Sequence, residues 1–214
     1  MQNRHDPLGM ELDHLAVTAA DLAAGRAHAE AALGVTMPPG GTHPAMGTHN
    51  RLLSLGPATY LEVIAPDPNA PAPARPRWFA LDRADRPRLG AWIARVADLD
   101  AALAACPVDA GRATAMSRGA LAWRIAIRDD GAPPLGGAFP VLIEWPDKTH
   151  PAGAMEDAGL RLERLEIATP EAGWLGPWLA GHLANPRVIV TGAPAPTLSA
   201  RFTRPEDGGT VTLA

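Results

Sequence analysis

A single cysteine, Cys106, stands among the 214 residues. That scarcity rules out an intrachain disulfide framework and a multi-cysteine zinc site. Cys106 precedes Pro107 and reads as a small apolar residue near a helix end. No stretch approaches the ~20 apolar residues of a membrane span. The opening MQNRHDPLGM has no apolar core of the signal-peptide kind, so an intracellular, cytoplasmic chain with no membrane partner is expected. No run of Lys or Arg exceeds two residues and the net charge is −4, which leaves no basic footprint for nucleic acid. A GxGxxG after a strand, a GxxxxGK followed by Ser or Thr, and a GxSxG elbow are all absent. Nucleotide-dependent chemistry and the common serine hydrolases are therefore disfavoured.

What is present is an ordinary globular composition, 47% hydrophobic and 20% charged, enough for one large core or two half-domains. With 23 prolines and 21 glycines, many turns and few long helices are expected. ELDHLAVT (11–18) alternates as a strand, with Leu12, His14 and Ala16 on one face and Asp13, Leu15 and Val17 on the other. A helix follows, with Asp21 as N-cap, Leu22, Gly25, Ala29 and Leu33 at helical spacing, and Gly34 at its end. A Gly- and Pro-rich segment ends in GTHN. RLLSLG and TYLEVIAP then form strands around the turn Gly56-Pro57-Ala58. The run DPNAPAPARPR reads as an extended surface connection.

The order then recurs. LGAWIARVAD, DLDAALAAC, GRATAMSRG, LAWRIAIRD and FPVLIEWPD read as strand, helix and three strands. HLAVTAADLAAG aligns with AWIARVADLDAA, and TYLEVIAPD with PVLIEWPD. A duplicated βαβββ unit explains both echoes, since a half-sheet cannot bury its faces alone. RLERLEIATP, GWLGPWLAGHL, RVIVTG, LSARFT and TVTLA start a smaller third pattern. Residues 1–150 are thus expected to hold the paired modules (about 10–67 and 89–147). Residues 151–214 are expected to form a partial βαβ-like module packed on the same domain. On the third helix Trp174 and Trp178 lie four apart, as core residues would.

LDHLAV, GGTHPAMGTHN, LLSLGPATYLEVIAPDP, LAWRIAI and FPVLIEWPDKTHPAG together resemble, in order and spacing over about residues 10–190, the glyoxalase-like domain family. That family belongs to the vicinal oxygen chelate (glyoxalase/bleomycin resistance/dioxygenase) superfamily. The resemblance implies an α+β fold in which tandem βαβββ modules form a cup-shaped mixed sheet around a small-molecule pocket, with the partial third module at the C-terminus. It implies a divalent metal (Zn, Mn, Ni or Fe) held on the concave face by the first and last strands of each module. Those positions are His14 and Glu62 in the first module, and about Ala91 and Glu144 in the second. Alternation places Tyr60, Glu62 and Ile64 inside the cup with His14. His49 is the residue that could complete the set.

The expected chemistry is that of a lyase or isomerase on an α-hydroxycarbonyl compound. A metal on His14, Glu62 and Glu144 polarises neighbouring substrate oxygens, and Glu62 and Glu144 are the catalytic carboxylates, with Glu144 as general base. Thr48, His49 and Asn50 are expected to contact the ligand, as are Trp123 and Arg124. Trp78, Arg77 and Arg118 are further lining candidates, and His43 and His150 are expected at the surface or behind the ligands. The rival reading is a metal-free protein of the same fold that binds or sequesters a small molecule, with Ala91 favouring it. Such folds also allow a homodimer.

Overall fold

The computed structural model describes residues 8–146, 150–183, 185–204 and 207–214; the first seven residues, and 147–149 of FPVLIEWPDKTHPAG, lie outside the described residues. The first module consists of β1 (Glu11–Thr18), α1 (Leu22–Leu33), β2 (Thr42–His43), β3 (Thr48–Ser54) and β4 (Tyr60–Pro66). The second consists of β5 (Arg88–Arg95), α2 (Leu99–Ala105), β6 (Arg112–Arg118), β7 (Leu121–Ile127) and β8 (Val141–Glu144). They join in one eight-stranded sheet of order β2-β3-β4-β1-β5-β8-β7-β6. In each module the first strand runs parallel to the last, and the modules meet where β1 pairs antiparallel with β5. The two halves of that order are mirror repeats of one connectivity, so the duplication legible in sequence is a duplication of topology.

The remaining elements are β9 (Arg161–Thr169), α3 (Ala172–His182), β10 (Val188–Gly192), β11 (Thr197–Thr203) and β12 (Thr210–Leu213). They form a separate four-stranded sheet of order β10-β9-β11-β12. This sheet shares one core with the convex face of the large sheet. Leu15, Val17, Leu61, Val63, Trp92 and Leu142 pack with Leu162, Leu165, Ile167 and Phe202. Burying aliphatic and aromatic side chains of this kind contributes roughly 1.5–3 kcal/mol each. On α3 only Trp178 has the expected packing, against Phe139 at 5.0 Å. Trp174 is an exposed apolar residue, because its helix face looks outward. Among the described residues no helix is long and apolar enough to cross a membrane.

Local signals decide the first helix. The Asp21 carboxylate accepts from the Ala24 N–H at 2.8 Å, and Gly34 ends α1 in the left-handed region at φ 74°. Gly25 lets the helix lie against the sheet, since a Cβ there would meet Ala19 Cβ and Val63 Cγ1 at 2.8 Å. At the end of α2 Cys106 is half-buried, and burial pushes its thiol up to about 11, the mark of an unreactive packing residue.

The concave face carries a second apolar cluster. Ala16, Ile64, Ala91, Ile93, Ile125, Val141 and Ile143 line it. The connection between the modules crosses the surface and then drops Trp78, Phe79 and Leu81 into this face. Phe79 and Ala80 take left-handed backbone angles (φ 56° and 57°), with Ala80 N–H bonded to the Gly131 carbonyl at 2.9 Å.

Candidate functional site

One irregularity in β1 shapes the cup. Leu12 pairs with Ala94 of β5 and His14 with the adjacent Ile93, so Asp13 is an extra residue, a β-bulge. Strict alternation would send Leu12 inward beside His14 and Asp13 into the core. Instead Leu12 packs in the convex core with Leu15 and Val17, and Asp13 lies behind the His14 ring. Bulges re-aim side chains in this way. The consequence is a buried dyad of adjacent residues, with His14 Nδ1 2.6 Å from Asp13 Oδ1.

The other Asp13 oxygen accepts from Trp145 Nε1 at 3.0 Å and contacts His150 Nε2 at 3.0 Å. His150 Nδ1 accepts from the Ala152 N–H at 3.3 Å, so Nε2 carries the proton and donates to Asp13. Arg95 Nη1 stands 3.8 Å from the same oxygen. Asp13 is completely buried. Burial alone would raise its pKa, but the hydrogen bonds from His14 and His150 outweigh it and hold the carboxyl well below its usual range.

On its cup side His14 Nε2 faces Glu62 Oε2 at 3.7 Å. That is ion-pair range but too long for a full hydrogen bond. Burial works to neutralise His14, and the hydrogen bonds and charges of Asp13 and Glu62 override it, raising the imidazole to about 9. The ring is therefore an imidazolium at neutral pH. Tyr60 stacks on it, centroids 4.4 Å apart and planes within 12°, an arrangement that favours a cation over a π face. Glu62 is held below its ordinary value: burial opposes ionisation, but His14 and the Asn50 amide more than compensate.

Asn50 Nδ2 donates to Glu62 Oε1 at 2.6 Å. Its Oδ1 accepts from Gly41 N–H at 2.9 Å and from Arg118 Nη1 at 3.1 Å, which fixes the amide orientation. His43 is not at the surface but buried in the cup wall. Burial, assisted by the Arg118 and His14 charges, lowers its pKa to about 4. The neutral ring lies 3.2 Å from Thr48 Oγ1 and 3.5 Å from Arg118 Nη1. The apolar wall is Leu52, Trp78, Phe79, Trp123, Ile125, Ile143 and Trp145. Free space within the cup is about 30 Å³, so a ligand of more than a few atoms enters it by displacing side chains or by extending out through its open mouth.

The structure thus brings His14, Glu62, Asn50 and Trp123 together, with Trp78 and Arg118, and leaves the other expected residues elsewhere. Glu144 is not in the cup. Its Oε2 accepts from the Leu99 N–H at 3.3 Å and from Arg124 Nη1 at 3.0 Å, on the face covered by α2. Arg124 points the same way, to Asp100 at 2.7 Å. His49 is on the opposite face of β3 from Asn50, half-buried, its Nε2 without a hydrogen-bond partner among the described residues. Thr48 reaches the cup only through His43. Arg77 bonds Asp82 and the Gly47 carbonyl, tying down the connection between the modules. Residues the sequence did not single out are Asp13 and Trp145; the dipeptide Asp13-His14 was visible, the bulge that makes it a dyad was not.

The expected metal set does not assemble. Among the described residues no group of three His, Cys, Asp or Glu side chains is placed to hold one ion. His14 Nδ1 is committed to Asp13, so His14 and Glu62 offer two donors at most, while the second module supplies Ala91, Ile93 and Ile143. Resident ions of the expected kinds take four or more ligands, three or more from protein as a rule. The donor set does not fit.

The sequence model of the glyoxalase-like domain family matches residues 12–183. No curated protein matches the chain. Among solved structures, a hypothetical protein from Staphylococcus aureus is similar, with 13% identity, 88% of each chain covered and a TM-score of 0.59; at that identity it speaks for the fold alone. A methylmalonyl-CoA epimerase from Mycobacterium tuberculosis shares 25% identity over 62% of this chain and 86% of its own, with a TM-score of 0.41. A methylmalonyl-CoA epimerase solved with methylmalonyl-CoA and NH4+ shares 16% over 65% and 97%, also at 0.41.

Proposed function

This chain belongs to the glyoxalase-like domain family, and we propose that within it the protein is a proton-transfer enzyme acting on a small carbonyl compound, an isomerase or lyase that works with its own acid–base pair. The observation that carries this reading is the pair itself. Glu62 Oε2 and His14 Nε2 face each other across 3.7 Å in a cup walled by apolar side chains, in surroundings that favour the carboxylate on one and the imidazolium on the other. Burying charged groups costs several kcal/mol unless they are paired. Here the pairing is left incomplete at the cavity wall, where a ligand can enter it.

The chemistry follows from the charge states. Glu62 removes a proton from the carbon next to a carbonyl, and the C–H electrons move into a carbon–carbon double bond. The carbonyl oxygen gains the negative charge, and His14 Nε2–H stabilises or protonates it. Returning the proton from Glu62 to the same carbon gives exchange or epimerisation, and to the neighbouring carbon, isomerisation. Asp13 positions the imidazole and keeps it cationic, and Asn50 holds the carboxylate. At rest the surroundings favour the charge states that the reaction starts from, a carboxylate on Glu62 and an imidazolium on His14.

The test is solvent deuterium incorporation into small α-hydroxycarbonyl and 2-oxo compounds, followed by NMR. Glu62→Gln is expected to slow exchange about 10²–10⁴-fold, with cooperative unfolding showing that the variant still folds. Exchange that survives in Glu62→Gln would overturn the proposal.

A further inference from the structure

Arg118 stands at the end of β6, half-buried, in the cup wall. Its Nη1 donates to Asn50 Oδ1 at 3.1 Å and approaches His43 Nε2 at 3.5 Å. Both partners are neutral, and no acidic side chain among the described residues lies within ion-pair range of it. Most of the other arginines that make side-chain contacts are neutralised, Arg77 by Asp82, Arg95 by Glu11, Arg124 by Asp100 and Arg128 by Asp109. Gly41 makes room for Arg118: a Cβ there would sit 2.8 Å from Arg118 Cδ. The guanidinium is thus seated at the pocket with no counter-charge among the described residues. Its Nε–H and Nη2 hydrogens make no bond to a described residue, and these form the fork that matches a carboxylate.

A second donor waits nearby. Trp78 lines the same cup, is buried, and its indole N–H has no acceptor among the described residues. An unsatisfied buried N–H is unfavourable, and a ligand oxygen would relieve it. The spacing to the base is set by one carboxamide, because Asn50 bonds Arg118 through Oδ1 and Glu62 through Nδ2.

We propose that Arg118 anchors the carboxylate of a small acid, a 2-oxo or 2-hydroxy acid whose reacting carbon lies one or two bonds from the carboxylate and so reaches Glu62. The assignment of the reacting carbon rests on the proton-transfer reading above; the anion site stands on Arg118 and its surroundings.

Saturation-transfer NMR on the full chain tests it with pyruvate and with diacetyl, its uncharged near-isostere. Wild type is expected to bind pyruvate saturably and to prefer it to diacetyl. Arg118→Met is expected to weaken pyruvate at least tenfold and to leave diacetyl unchanged, with Arg118→Lys between. Unchanged melting temperatures confirm that the variants fold. Equal pyruvate affinity of wild type and Arg118→Met overturns the inference, as does equal wild-type affinity for the two compounds or no saturable binding of pyruvate. Glu62→Gln separates the two proposals, since it is expected to keep or tighten pyruvate binding while stopping exchange. Exchange independent of Glu62, with binding still dependent on Arg118, sinks the proton-transfer reading and leaves the anion site intact.

Discussion

Replacing Asp13 by Asn tests the electrostatic account most directly, because the change is nearly isosteric and its cost can be worked out. Asp13 accepts from His14 on one oxygen and from Trp145 and His150 on the other. An amide has one accepting end. If its oxygen faces Trp145 and His150, its NH2 faces the His14 Nδ1–H and the imidazolium loses both proton and partner. If it is turned over, its NH2 meets two N–H donors. Either way a buried ion pair is broken, an effect of about 3–5 kcal/mol, in a protein whose whole stability is on the order of 5–15 kcal/mol.

The pH dependence gives the sign. His14 is raised from 6.5 to about 9 in the folded state, so the stabilisation is fully present below about 6.5 and disappears as pH climbs through 9. It amounts to about 3 kcal/mol at about 1.4 per unit. Asp13 is depressed, so its contribution holds at neutral pH and fades only as acid reaches its folded value. Urea unfolding of wild type and Asp13→Asn at pH 7 and pH 10 is the assay. The variant should be less stable by about 3–5 kcal/mol at pH 7, and most of that gap should close at pH 10. A variant within about 1 kcal/mol of wild type at pH 7, or a gap of the same size at both pH values, would refute the dyad as described.

Two further outcomes follow from the placement of the ligands. Glu144→Ala removes a carboxylate that accepts from Leu99 N–H and Arg124; unfolding should become easier by about 1–2 kcal/mol, while deuterium exchange stays within twofold of wild type. A larger loss of exchange would return Glu144 to the catalytic set. Prolonged treatment with a chelator should leave exchange and melting temperature unchanged, because the donor set centred on His14 and Glu62 does not fit a resident ion; activity lost on chelation and restored by one divalent metal would contradict that.

What the sequence disclosed and what it hid divide along local and non-local physics. Alternation in 11–18, the Asp21 cap and the Gly34 stop are local, and β1 and α1 begin and end where these signals put them. Glu62 sits inside the cup because β4 alternates cleanly, and His14 shares that face with Ala16 on the C-terminal side of the bulge. The bulge at Asp13 is set by how β1 pairs with a strand some eighty residues away, and nothing in ELDHLAVT marks it. Glu144 failed for a different reason. Arg124 lies directly opposite it, and residues directly opposite in a ladder share a face. Trp123 and Arg124, being consecutive, cannot both face the pocket, so an inward Trp123 already turns Arg124 and Glu144 outward. The same parity separates His49 from Thr48 and Asn50. For Arg124 and His49 the strand period alone held the answer; the pairing that carries Glu144 outward with Arg124 came only with the structure.

The duplicated fold has specialised its halves. The first module contributes Asp13, His14, Asn50 and Glu62, and the second contributes Ile93, Ile125, Ile143, Trp123 and Trp145 as an apolar wall, with Arg118 as its one charged group in the cup lining among the described residues. Such a wall strengthens every charge interaction beside it. The charges of Asp13, His14, Glu62 and Arg118 sum to zero, with His14 favouring the ionised form of Glu62. A bound carboxylate on Arg118 takes up that cation and adds a negative charge beside Glu62. A like charge nearby, together with the loss of water, raises a carboxylate's proton affinity. Binding the anion therefore turns a stable carboxylate into a stronger base at the moment a C–H bond comes within reach. A neutral ligand would bring no such gain, which is why the charge on the substrate and the strength of the base belong to one argument.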